Sequence, residues 1–89
     1  MSKKITIQIF ADPGHAWARF PKARLAKLGI ADKISTYSYQ RNGQAFLEED
    51  CDLYTLINAL KGKGYVDINF KESHTNRSSK IRSYSHYHA

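Results

Sequence analysis

Residues 44–71 read QAFLEEDCDLYTLINALKGKGYVDINFK, and the spacing of the apolar residues changes twice along this stretch. From Leu53 to Leu60 the apolar residues follow the i, i+3, i+4, i+7 pattern of an amphipathic helix, which we predict over residues 50–61. Acidic residues precede this helix and lysines and glycines follow it, as the helix dipole and C-terminal capping favour. Period-two alternation on either side predicts strands over residues 44–48 and 65–71.

The preceding residues predict three more strands and a short helix. Period-two alternation marks the strands, which are residues 5–10, 15–20 and 34–40. Asp12-Pro-Gly14 predicts the turn between the first two strands, and Asn42-Gly43 predicts a tight hairpin after the third. Residues 21–28 begin with proline and carry two leucines on one side, which predicts a helix of about two turns.

This order of elements predicts a small α+β domain. We expect a mainly antiparallel sheet of about five strands, with one long and one short helix packed on one face. Tyr37, Tyr39 and Phe46 are expected on the other, partly open face. We predict a compact domain over residues 1–72, followed by a basic tail over residues 73–89 that is rich in tyrosine and histidine. We expect this tail to be partly docked or mobile.

Length and composition exclude several classes of protein. The chain has 89 residues, of which 42% are hydrophobic and 12% aromatic, as is typical of one folded domain. Its single cysteine, Cys51, excludes an intrachain disulfide and a multi-cysteine zinc site. No apolar run is long enough to span a membrane, and the N-terminus does not resemble a signal peptide. We therefore expect no membrane partner and a reducing, cytoplasmic compartment.

The charge of the chain favours an anionic partner. Fourteen lysines and arginines against eight acidic residues give a formal net charge of +6. Such an excess favours nucleic acid, a nucleoprotein or a phosphorylated ligand. The candidate binding residues surround the short helix and recur in the tail: Arg19, Lys22, Arg24, Lys27, Arg77, Lys80, Arg82 and Tyr84. Because cations neutralise phosphates and aromatic rings stack on bases, this set predicts a nucleic-acid interface. A solvated basic face is the alternative.

The acidic stretch Glu48–Asp52 is the main candidate for a metal or catalytic site. Together with Asp12 and His15, its carboxylates would suit Mg²⁺ and phosphodiester hydrolysis. We favour a structural interpretation, in which the carboxylates stabilise the start of the following helix and Cys51 is buried. Three tail histidines would bind a transition metal only weakly: His74, His86 and His88. We therefore expect no cofactor, no metal and no catalytic residue.

Four separated blocks are spread along nearly the whole length of the chain: Asp12-Pro-Gly-His-x-Trp17, Leu28-Gly-Ile-Ala-Asp-Lys-Ile-Ser35 with Tyr37-Ser-Tyr39, Leu47-Glu-Glu-Asp-Cys-Asp52, and Ser79-Lys-Ile-Arg-Ser-Tyr84. They resemble a group of small bacteriophage and prophage proteins. The resemblance implies a phage-type protein that acts in the cytoplasm of its bacterial host. It implies no particular activity and no catalytic residue.

These observations predict a non-enzymatic, phage-type binding protein that contacts nucleic acid or a host nucleoprotein, with countering of host defence as one such role. One alternative is a protein–protein inhibitor of a host enzyme or defence complex, anchored by exposed aromatic residues. Another is a small metal-dependent nuclease that uses Asp12, His15, Glu49 and Asp50. Edge strands and a partly apolar second face are also compatible with a homodimer.

Overall fold

The computed structural model describes residues 3–89, and its framework is one six-stranded sheet with two α-helices. The strands are β1 (Lys3–Ala11), β2 (Ala16–Pro21), β3 (Tyr39–Arg41), β4 (Gln44–Glu48), β5 (Tyr65–His74) and β6 (Ser85–His86). The helices are α1 (Lys22–Lys27) and α2 (Leu53–Gly62), and two short 3-10 helices cover Ala31–Lys33 and Lys80–Ser83. The predicted α+β class is confirmed. Among the described residues, no helix is long and apolar enough to cross a membrane.

The strands lie side by side in the order β5-β1-β2-β4-β3-β6. Every neighbouring pair is antiparallel except β1 and β5, which run parallel over the full length of β1. After α2 the chain returns to the edge beside β1, and this crossover sets the parallel direction. Four of the five neighbouring pairs are antiparallel, so the predicted mainly antiparallel sheet is confirmed, although the sheet is mixed and has six strands rather than about five.

Alternate side chains of the strands build an apolar cluster on each face of the sheet. The main cluster lies between the sheet and the two helices, and its fully buried members include Ile7, Ala18, Leu25, Leu47, Leu56 and Leu60. Burial of one large apolar side chain contributes about 1.5–3 kcal/mol, so this layer provides most of the stability. The second cluster lies on the opposite face and consists of Trp17, Phe46 and Ile81. We call this opposite face the outer face.

Residues 75–89 pack along the outer face and around the β3 edge. Ile81 is buried against Trp17 and Phe46, so the sheet is less open on this side than the sequence suggested. Further along, the Tyr87 side chain enters the main cluster and is only 2% exposed. Its backbone N–H donates to the carbonyl of Ser38 at 2.9 Å. These contacts attach the C-terminal segment to the rest of the domain.

One strand prediction is wrong. The strand expected over residues 34–40 is present only over Tyr39–Arg41. Asp52 explains the difference, because its carboxylate accepts hydrogen bonds from the Ser35 N–H and from the hydroxyls of Ser35 and Ser38. These bonds hold the segment before Tyr39 as a loop, in competition with a sheet ladder. Asp52 is engaged in this way and gives α2 no side-chain cap. The helix begins at Leu53 and not, as the sequence predicted, at residue 50.

Candidate functional site

Two concave regions of the surface combine charged groups with aromatic rings and could accommodate a ligand. The first, which we call the acidic–aromatic cleft, has a volume of about 320 Å³ and is lined chiefly by His15, Trp17, Tyr37, Tyr39, Glu48 and Asp50. The second, which we call the cationic pocket, has a volume of about 460 Å³ and is lined chiefly by Lys22, Gln40, Arg41, Ser83, Tyr84 and Ser85. The same two segments, β3 and the stretch after Ser79, contribute residues to both.

An ion pair between Asp12 and Arg82 forms the framework of the cleft. Arg82 donates from Nε to Oδ2 at 2.7 Å and from Nη2 to Oδ1 at 2.9 Å. The backbone N–H groups of Gly14, His15 and Ser79 also donate to this carboxylate, each at 2.9 Å. The ion pair first, and then these N–H groups, hold the pKa of Asp12 well below its usual range. Asp12 is therefore a fully engaged structural group, with no free oxygen for a metal ion.

The cleft brings together three other groups that can bind a cation. One ligand atom each of His15, Glu48 and Asp50 lies within 4.8 Å of the other two. Glu48 is 7% exposed, whereas His15 and Asp50 are exposed at the mouth. The nuclease hypothesis included Glu49 of the acidic stretch, but the structure places Glu48 beside His15 and Asp50 instead. Strand alternation explains this, because Phe46 and Glu48 of β4 lie on the outer face.

Two buried polar atoms of this cleft have no hydrogen-bond partner among residues 3–89. They are Glu48 Oε1 and Trp17 Nε1. Glu48 Oε1 lies 3.4 Å from His15 Nδ1, which is too long for a good hydrogen bond. Buried polar atoms in native proteins are almost always paired, so these two exceptions make the cleft a candidate site for a ligand, an ion or a bound water.

Cys51 and Asp52 follow the cleft residues in sequence, and neither has the role that the structural interpretation of the acidic stretch predicted. Cys51, which we expected to be buried, is exposed at the mouth of the cleft. The neighbouring Glu48 carboxylate raises the pKa of its thiol, and partial desolvation and the charges of Asp52 and Asp50 add to the effect. A thiol kept protonated in this way is a poor nucleophile. Asp52 is buried and binds the Ser35–Ser38 loop.

The cationic pocket has a different composition. The side chains of Lys22 and Arg41 both line it, and no carboxylate of residues 3–89 does. Lys22 Nζ donates to Gln40 Oε1 at 2.7 Å, and the Arg41 guanidinium lies 5.0 Å from the centre of the Tyr84 ring. The Asn42-Gly43 hairpin turn closes one side, and both residues have positive φ, 51° and 78°. This turn, predicted from the sequence, follows Arg41 directly, and its Gly43 carbonyl accepts a hydrogen bond from the Lys22 N–H at 3.0 Å.

The structure distributes the eight residues predicted to bind nucleic acid over several places. Lys22 and Tyr84 line the cationic pocket, and Arg82 pairs with Asp12 in the cleft. Arg19 packs over Phe10 on the outer face. Arg24 and Lys27 border a separate depression beside Tyr65. The remaining two, Arg77 and Lys80, are exposed.

The sequence interpretation missed Arg41 and did not join the tail histidines to any site. Arg41 directly precedes Asn-Gly, and a side chain at that hairpin position reaches the neighbouring strand. Its place next to the predicted turn was therefore the sequence signal that could have identified it. His86 Nδ1 lies 2.9 Å from the carbonyl of Thr36, and His88 Nε2 lies 3.0 Å from Gln40 Nε2. Among residues 3–89, the tail histidines do not form a group with ligand atoms close enough for a common ion.

Comparisons with known proteins give no relative for this chain: no family model, no curated protein and no solved structure matches it. The resemblance to small bacteriophage proteins therefore stays a prediction. Function has to be inferred from the cleft and the pocket themselves.

Proposed function

We propose that this protein is a non-enzymatic binding protein for nucleic acid and that the cationic pocket receives a phosphate of the backbone. One observation carries the proposal: Lys22 and Arg41 line the same pocket, whose wall contains no carboxylate. A concave site with two cations and no anion attracts a phosphate diester, since the phosphate replaces the counterions that the cations otherwise hold.

The pocket also offers a neutral donor and a guanidinium that lies over an aromatic ring. The Ser85 hydroxyl lines the pocket, where a phosphate oxygen could accept from it, whereas the Ser83 hydroxyl already donates to the Lys80 carbonyl at 2.7 Å. Arg41 stacks on Tyr84, and Tyr84 in turn packs against Phe46 with the ring centres 5.2 Å apart. This stack limits the rotation of the guanidinium, so less side-chain entropy is lost when it binds a phosphate. Tyr84 therefore supports Arg41 in this proposal, rather than stacking on a base itself.

Other cations lie on the surface outside the pocket. Arg19, Arg77 and Lys80 form no salt bridge among the described residues. They would contact neighbouring phosphates or steer a polyanion towards the pocket, together with the net charge of +6. The exposed ring of Tyr37, 71% accessible, suits stacking on an unpaired base. A host nucleoprotein in the bacterial cytoplasm would present the same phosphates.

The test is a binding titration with fluorescently labelled single-stranded and duplex oligonucleotides at about 50 mM salt, where phosphate contacts are strong. The double variant Lys22→Gln/Arg41→Gln is expected to weaken binding at least tenfold. Lys61→Gln/Lys63→Gln is the matched control, because it removes the same charge from the C-terminal end of α2. The control is expected to bind within about twofold of the wild type.

Two results would overturn the proposal. Absence of binding at low salt would exclude a nucleic-acid partner, and an equal loss in both double variants would exclude the pocket as the contact. A pull-down from a bacterial lysate with and without nuclease adds a further distinction. A partner that is retained after nuclease treatment would indicate the alternative, a protein–protein inhibitor.

A further inference from the structure

The cleft contains a second arrangement, independent of the phosphate proposal. We propose that His15, Glu48 and Asp50 bind a divalent transition-metal ion of the Zn²⁺ type, with one coordination position open to the acidic–aromatic cleft. The imidazole nitrogen and two carboxylates supply one nitrogen and two oxygen ligands from three separate side chains. A nitrogen ligand favours Zn²⁺ and its neighbours over Mg²⁺ and Ca²⁺, which prefer oxygen alone.

The distance between the His15 and Glu48 ligand atoms already fits a tetrahedral zinc ion. Zn²⁺ binds imidazole nitrogen and carboxylate oxygen at about 2.0–2.2 Å, so two ligands of one tetrahedral ion lie about 3.3–3.5 Å apart. His15 Nδ1 and Glu48 Oε1 are 3.4 Å apart. Asp50 lies within 4.8 Å of both, and its exposed side chain can rotate towards them. Little rearrangement is needed to complete three protein ligands.

The burial of Glu48 distinguishes the three side chains from an exposed acidic cluster. Its Oε1 is buried, has no hydrogen-bond partner among residues 3–89 and lies beside the His15 ring. Its other oxygen, Oε2, accepts from the Asp50 N–H at 3.0 Å, and its own N–H donates to Ser38 Oγ at 2.9 Å. The backbone of Glu48 is thus fixed by Ser38 and its Oε2 by Asp50, which leaves the unpaired Oε1 preorganised to bind a cation.

The surroundings of the three ligands leave room for one more. Trp17 and Tyr39 form an apolar wall beside them, with the rings 6.3 Å apart, and the cleft volume of about 320 Å³ holds water or a small ligand. Three protein ligands and an accessible fourth position distinguish such a site from a closed structural zinc site. The Asp12–Arg82 ion pair is not part of the proposed metal site, because each group is already bound to the other by two hydrogen bonds.

The test is isothermal titration of the full chain with ZnCl₂, supported by the absorption spectrum of the Co²⁺ form and by the melting temperature. We expect one ion per chain and a higher melting temperature with Zn²⁺, and no comparable effect with MgCl₂. Asp50→Asn and His15→Gln are each expected to weaken Zn²⁺ binding at least about tenfold. The matched control is Glu49→Gln, which removes a neighbouring exposed carboxylate from outside the cluster.

The same titration separates this site from the other groups that bind metals. The double variant His86→Gln/His88→Gln is expected to retain the wild-type affinity. Weakening by this double variant, or equal weakening by Glu49→Gln and Asp50→Asn, would overturn the proposal. So would the absence of Zn²⁺ binding in the folded wild-type chain. Circular dichroism of each variant establishes that a loss of binding does not come from unfolding. Failure here would leave the oligonucleotide titration unaffected, since that titration needs no added metal.

Discussion

Arg82 and Asp12 lie 70 residues apart in the sequence and form a two-point ion pair, with Nε and Nη2 of the guanidinium on separate oxygens of the carboxylate. The pair joins the turn after β1 to the 3-10 helix of the C-terminal segment. The guanidinium also lies 5.4 Å from the centre of the buried Trp17 ring, an energetically favourable cation–π position. This pair therefore holds the segment against the outer face.

Replacement of Asp12 by Asn is expected to lower the melting temperature by more than about 5 °C at pH 7, because Arg82 and three backbone donors lose a charged acceptor. The pKa of Asp12 is well below its usual range in the folded protein. Its contribution to stability is therefore complete above the ordinary pKa of aspartate, about 3.9, and is lost as the pH falls below it. Thermal unfolding of the wild type and Asp12→Asn from pH 7 to pH 2 measures this difference.

The two melting curves should approach each other below about pH 4. Asp67→Asn is the matched control, since it removes a carboxylate from β5 that binds only the neighbouring Asn69 side chain. Its effect is expected to stay within about 2 °C of the wild type, as for surface changes in general. A constant difference between wild type and Asp12→Asn at every pH would contradict the assigned role.

Gly14 gives a second test of the same pair without removing either charge. A Cβ at this position would lie 2.8 Å from Nη2 of Arg82, closer than side-chain atoms tolerate. Gly14→Ala is therefore expected to displace the guanidinium from Oδ1 and to lower the melting temperature, although less than Asp12→Asn does. In the background of Arg82→Ala the same substitution should have little further effect, because the atom it meets is gone. Additive losses would contradict this contact.

The part of the fold that the sequence predicts best is the part that local periodicity determines. The leucine spacing of α2 and the Asn42-Gly43 turn are local signals, and both elements are present. The pairing of β1 with β5 is not local, because the period of a strand shows which face is buried but not which strand lies beside it. The loop before Tyr39 was missed because the carboxylate that forms it, Asp52, lies 14 to 17 residues further along.

The candidate site was predicted less well for a similar reason. The acidic stretch and His15 were recognised, but the choice of Glu49 over Glu48 required the end of β4 to be known to one residue. Asp12 and Arg82 were placed in two different hypothetical sites, one for a metal and one for nucleic acid. Their mutual contact depends on how the C-terminal segment crosses the sheet, which residue spacing does not determine.

Replacement of Ser38 is expected to lower the stability of the domain strongly for so small a side chain. It is fully buried, and its hydroxyl donates to Asp52 while accepting from the Glu48 N–H at 2.9 Å. Ser38→Ala leaves both partners short of a hydrogen bond and is expected to cost about 2 kcal/mol of unfolding free energy. Urea denaturation measures the loss. Ser78→Ala, at an exposed position, is the control and should be within about 0.5 kcal/mol of the wild type.

Tyr87 tests whether the C-terminal segment is part of the folded domain. Its ring is buried in the main cluster, so Tyr87→Ala is expected to cost about 3 kcal/mol in urea denaturation. Tyr87→Phe keeps the ring but loses the hydrogen bond to the Ala31 carbonyl, and it should cost about 1 kcal/mol. A loss below about 0.5 kcal/mol for Tyr87→Ala is the size of an ordinary surface change. Such a result would show that the segment does not contribute to stability.

Burial also raises the pKa of Tyr87, with the charges of Asp32 and Asp52 adding to the effect. A raised pKa means that the folded state favours the neutral ring. The stability this provides is complete below the ordinary tyrosine pKa of about 10 and is lost as the pH rises through the higher value of the folded state. The wild type should therefore lose more stability than Tyr87→Phe above about pH 10, and parallel curves for the two proteins would contradict this.

The salt dependence of nucleic-acid binding measures how many phosphates the cationic pocket engages. Each phosphate contact contributes about −0.9 to the slope of log affinity against log salt on duplex DNA and about −0.7 on a single strand. If Lys22 and Arg41 each neutralise one phosphate, the double variant should reduce the slope on a single strand by about 1.4. Each single variant should reduce it by about half as much. Titrations from about 50 to 200 mM salt cover the range in which the slope is well determined. An unchanged slope with weaker affinity would mean that the two side chains shape the pocket without contacting phosphate.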